Sequence, residues 1–127
     1  MQSRLILAVF AASGLILAGS ETAATEKLSL RVTPNVSSAP SNVIVKATVA
    51  KNAENRWLHI EADSGTFYRS SAIQLDGDKA PTVTEIRLSN LPSGEYSVSA
   101  VLRTSVGEEI TVRRTVIVLS RFAEPPQ

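Results

Sequence analysis

No cysteine occurs among the 127 residues, so the chain forms no disulfide, offers no thiolate nucleophile and supplies no sulfur ligand to a metal. Histidine appears once, at His59, which leaves a single imidazole for acid–base chemistry. There is no G-x-S-x-G elbow, no H-E-x-x-H pair and no glycine-rich phosphate loop. An excess of either charge is missing too. Thirteen Lys and Arg stand against twelve Asp and Glu, interleaved along the length, whereas a nucleic-acid binder usually shows a basic face. No nucleic-acid partner and no cofactor are therefore expected. Helical spacing of apolar residues is also absent, and stability has to come from packing of a different kind.

What is present begins with an export pattern. Arg4 is followed by the thirteen-residue stretch Leu5 to Leu17. That is shorter than the roughly 20 residues a membrane span needs, and the small residues Ala18-Gly19-Ser20 come next. This reads as a cleavable signal peptide over 1–20. Cleavage after Ser20 fits it best, and Ala24 is a second candidate. The tetrad Leu17-Ala18-Gly19-Ser20 resembles a bacterial lipoprotein signal, with serine where that signal carries the lipidated cysteine. A hydroxyl cannot form the thioether, so the expectation is an unlipidated protein without stable membrane insertion, in the periplasm or outside the cell. Removing 1–20 takes away Arg4 and no acid, leaving twelve basic against twelve acidic residues. The rest divides into a flexible segment 21–27, one domain over 28–120 and a tail 121–127, in which Pro125-Pro126 cannot join a ladder.

From Leu28 onward the apolar spacing is two, with turn residues every eight to twelve positions, which is the pattern of an all-β sandwich. Leu28, Leu30 and Val32 form a first strand that stops at Thr33-Pro34-Asn35. Val43, Val45, Ala47 and Val49 form a second. A third, from about Arg56 to Ala62, puts Leu58 and Ile60 inward and Trp57, His59 and Glu61 outward, then turns at Asp63-Ser64-Gly65. Thr66 to Ala72 reads as an edge strand, and the first strand as the other edge. A fifth strand covers Val83 to Leu88, a sixth starts at Tyr96, and the seventh carries Ile110, Val112, Val116 and Val118. Arg114 falls on the inward row of that last strand. A buried unpaired charge is costly, so a bulge at Arg113-Arg114 or a place at the sandwich rim is expected.

The run Leu91-Pro92-Ser93-Gly94-Glu95-Tyr96 puts a tyrosine on the inward row just past a tight turn, where its hydroxyl can reach back to the backbone of the connection. This resembles the tyrosine corner of fibronectin type III and related immunoglobulin-like sandwiches. The resemblance implies a seven-stranded antiparallel immunoglobulin-like domain, although the inter-sheet cysteine pair of antibody-type domains is missing.

Chemistry is sparse on this framework. His59 with Glu61 or Asp63 is the one arrangement a hydrolase or metal enzyme could use, and an outward sheet-surface histidine is the simpler reading. Asp76 and Asp78 flank Gly77, but calcium needs six to eight oxygens and Lys79 adds a competing charge, so a surface turn is expected. Arg56, Trp57, Phe67, Tyr68 and Arg69 form the main aromatic and cationic cluster, and an exposed group of this kind is a common contact site. The expectation is an exported, non-catalytic immunoglobulin-like module of the bacterial envelope. It would recognise a protein partner through this cluster or, alternatively, bind a glycan or peptidoglycan without cleaving it.

Overall fold

The computed structural model describes residues 27–121. The signal-peptide reading of 1–20, most of the segment 21–27 and nearly all of the tail 121–127 fall outside the described residues.

Alternation of β-branched and polar residues produces eight strands. They are β1 (Leu28–Thr33), β2 (Val36–Ser38), β3 (Ser41–Val49), β4 (Asn55–Asp63), β5 (Tyr68–Gln74), β6 (Val83–Leu91), β7 (Gly94–Thr104) and β8 (Glu109–Leu119). They form two sheets, one ordered β1-β3-β6 and the other β2-β8-β7-β4-β5. The all-β expectation holds, and both strands read as edges, β1 and β5, end their sheets. The count of seven antiparallel strands does not. The chain leaves the first sheet at Pro34 and adds the short β2 to the second, parallel to β8, with Val36 opposite Ile117 and Ser38 opposite Leu119. Three residues between two prolines carry too short an alternation to register as a strand. The pairing is held by the Ile117 amide donating to Asn35 O at 2.8 Å and the Ala39 amide donating to Leu119 O at 2.7 Å.

The inward rows meet in one core. Leu28, Val43, Val45, Leu58, Val98 and Val116 are fully buried in it, together with Tyr96. Each such aliphatic side chain contributes about 1.5–3 kcal/mol on burial. The tyrosine hydroxyl reaches back as expected, donating to Pro92 O at 2.7 Å. Burial pushes the Tyr96 phenol above its ordinary pKa, while the nearby Ser64 hydroxyl and the Arg69 charge pull it partly back.

Gly77 sits in a 3₁₀ turn, Gly77–Lys79, with positive φ, and a Cβ built there would come 2.8 Å from Ala53 O. The loop therefore packs its backbone directly on the connection before β4, and only glycine fits. Asp78 and Lys79 point outward from this turn, as a surface loop requires.

Candidate functional site

The structure disperses the cluster singled out from the sequence. Trp57 and Tyr68 share the outer face of the five-stranded sheet and are 44% and 54% exposed. Tyr68, however, stands opposite Asp63, six residues along β4 from Trp57, which separates the two by about 20 Å at strand rise. Phe67 is half-buried, edge-on to Tyr96 with ring centroids 6.4 Å apart. Arg69 lies over the Phe67 ring at 5.2 Å and donates to Ser89 O at 2.8 Å. These two residues close the corner where the β5 edge meets β6. Arg56 turns back on its own connection, donating to Ala53 O and Asn55 O beside the irregularity between Asn55 and Trp57. The two short runs, Arg56-Trp57 and Phe67-Tyr68-Arg69, thus serve four separate places.

His59 lies on the same outer face, with Nδ1 3.7 Å from a Glu61 carboxylate oxygen, and Tyr68 donates its hydroxyl to the other Glu61 oxygen at 3.0 Å. The three are partly or fully exposed on the outer sheet surface. Among the described residues no group of three or more His, Asp or Glu is placed to hold a metal ion.

The opposite corner is open. There β1, an edge strand, packs against β8 beyond the reach of the short β2, and a cleft of about 750 Å³ runs between them. Arg31, Lys46 and Arg114 line it together with Ser29, Thr48 and Thr115, and no carboxylate does. Arg31 and Lys46 stand directly opposite each other in the β1–β3 register. Like charges in that relation repel and cost stability unless something neutralises them. Among the described residues neither side chain makes a hydrogen bond or an ion pair. Arg114 donates once, to the neighbouring Arg113 O at 2.8 Å. Pairing of β7 with β8 runs past Arg113 and Arg114 without a shift of register, so the inward-row arginine is accommodated at the rim of this cleft and not by a bulge.

The sequence carries one signal of this site, the charge on an inward row at Arg114. The rest was hidden, because the Arg31–Lys46 juxtaposition depends on strand register and the approach of β8 to β1 depends on the sheet order.

No protein-family model matches the chain, and no curated protein matches it either. Solved structures do. A superoxide reductase (neelaredoxin) from Ignicoccus hospitalis aligns over 72% of this chain and 80% of its own with a TM-score of 0.60 at 12% identity. Two variants of the same enzyme align with TM-scores of 0.59 at 14% and 16% identity, covering 72% and 77% of this chain and 79% and 84% of theirs. These likenesses overturn the assignment to immunoglobulin-like or fibronectin type III-like domains. The tyrosine corner and the period-two rows are features that a different all-β sandwich satisfies equally well. They also remove the ground for reading the chain as a non-catalytic protein-binding or glycan-binding module, since that reading leaned on the immunoglobulin-like assignment and the shared fold is that of an enzyme. The likeness at this level of identity is one of fold: the described residues form a two-sheet sandwich similar to that of superoxide reductase, with an open cationic corner between β1 and β8.

Proposed function

We propose that this is an exported domain that binds a small anion in the β1–β8 corner, on a framework similar to that of superoxide reductase. The observation that carries the reading is the convergence of Arg31, Lys46 and Arg114 on one cleft that no carboxylate lines. Its volume falls within the ~300–1,000 Å³ typical of small-molecule sites. Ser29, Thr33, Thr48 and Thr115 line the same cleft, and their hydroxyls could donate to the oxygens of the anion. Export rests on the pattern of residues 1–20, with its single positive charge, short apolar stretch and small residues.

Superoxide, the substrate named for the structural neighbours, is itself an anion. Its reduction needs a one-electron donor, which a metal centre held by His, Cys or carboxylate ligands can supply. The chain has one His and no Cys, and the described residues bring no three such ligands together. The residues present do not fit a resident redox metal, and no reduction step follows from them.

Isothermal titration of the protein at constant ionic strength with sulfate, malonate, acetate and chloride tests the reading. Saturable binding of at least one anion is expected, and it should disappear in the double variant Arg31→Gln/Arg114→Gln. A chain that binds none of them saturably, or a double variant that binds as the parent does, would refute it.

A further inference from the structure

Resting on that anion-binding reading, we infer that the group held between β1 and β8 is a doubly charged tetrahedral oxyanion, a phosphate or a sulfate. Arg31, Lys46 and Glu85 form one rank across the outer face of the three-stranded sheet, Lys46 pairing with Arg31 on one side and Glu85 on the other. Glu85 does not line the cleft, and Arg114 adds a further cation from β8. One rank along, Arg87 stands opposite Ile44 on the same face and strengthens the positive field. Three lining cations against the single carboxylate of that rank leave a surplus of at least two positive charges.

Two of the cations leave the sheet side by side. Directly opposed residues on neighbouring strands have Cβ atoms about 4.5–5.5 Å apart, so Arg31 and Lys46 start from neighbouring points and line the same cleft. An extended dicarboxylate spreads its two charges over separate groups, whereas a phosphate or sulfate concentrates them on one. Guanidinium groups bind such oxyanions through paired, charge-assisted hydrogen bonds, and the remaining oxygens of a tetrahedral group suit the hydroxyls of Ser29, Thr48 and Thr115. The opposite corner of the sandwich shows the alternative clearly. There Arg69 is committed to the Ser89 carbonyl and the Phe67 ring, so the corner is closed.

The test is isothermal titration at pH 8 and constant ionic strength, comparing sulfate and inorganic phosphate with malonate and acetate. The inference expects the two tetrahedral anions to bind at least tenfold more tightly than either carboxylate. Arg31→Gln should weaken them tenfold or more, while Arg113→Gln, on the opposite side of β8, should change them less than twofold. Malonate or acetate binding as tightly as sulfate would overturn the inference and leave the anion site standing. If no anion bound saturably, both would fall. Phenyl phosphate and vesicles of phosphatidylcholine with phosphatidic acid distinguish sources. Inorganic phosphate binding with both esters excluded supports a free ion, and ester or vesicle binding lost in Arg31→Gln supports an ester. Ester or vesicle binding that survives Arg31→Gln would count against the site.

Discussion

Tyr96→Phe removes one oxygen from a side chain that is fully buried and leaves the ring in place against Phe67. The lost interaction is the 2.7 Å hydrogen bond to Pro92 O. A neutral hydrogen bond contributes about 1 ± 0.5 kcal/mol net, and more is lost when the abandoned partner stays dry. The bond is only part-buried and Pro92 is an exposed residue, so the cost should be about 1 kcal/mol. For a domain of this size that corresponds to a fall in Tm of about 4–8 °C. Urea unfolding followed by circular dichroism measures it, with an unchanged slope expected because the surface exposed on unfolding is the same. The pH dependence gives a second handle. Burial raises the phenol pKa in the folded state, so the unfolded chain loses its proton first as pH rises. The stabilisation tied to the neutral phenol is complete below the ordinary tyrosine pKa of about 10 and is lost as pH climbs from there through the folded value. Tyr96→Phe should lose less stability over that alkaline range than the parent. A variant as stable as the parent within about 0.3 kcal/mol, with the same alkaline profile, would refute the account of the corner.

Other positions lead to equally definite outcomes. Arg69→Ala removes the bond to Ser89 O and the stacking on Phe67, and chemical denaturation should show a loss of about 1–2 kcal/mol, reflecting a partly exposed charged hydrogen bond and a cation–π contact. Gly77→Ala forces a methyl group against Ala53 O at a positive φ, so it should cost about 1–3 kcal/mol in the same assay. Arg31→Gln separates fold from binding. In low-salt buffer without multivalent anions it should leave the stability unchanged or raise it by up to about 0.5 kcal/mol, because it relieves the repulsion with Lys46, and the gain should vanish in 1 M salt.

The rows Leu28-Leu30-Val32, Val43-Val45-Ala47-Val49 and Tyr96-Val98-Ala100-Leu102 were legible as buried faces because a strand sends alternate side chains to opposite sides, a property of local backbone geometry. The turns at Asp63-Ser64-Gly65 and the reach of Tyr96 to Pro92 were legible for the same reason, since each depends on residues within a few positions. β2 was not, having three residues and a partner, β8, about eighty positions away. Nor was the fate of the aromatic cluster. Adjacency of Phe67, Tyr68 and Arg69 in sequence says nothing of which sheet edge each one meets.

Composition and periodicity alone determined that the described residues build a cysteine-free, all-β structure with one buried core, because hydrophobic alternation leaves a strand no other way to hide its apolar face. Tertiary structure alone decided that the sheets divide three and five, that Phe67 and Arg69 seal one corner, and that Arg31, Lys46 and Arg114 gather at the other. Those outcomes turn on register and sheet order, which are set by contacts between residues tens of positions apart and so leave no local mark in the sequence.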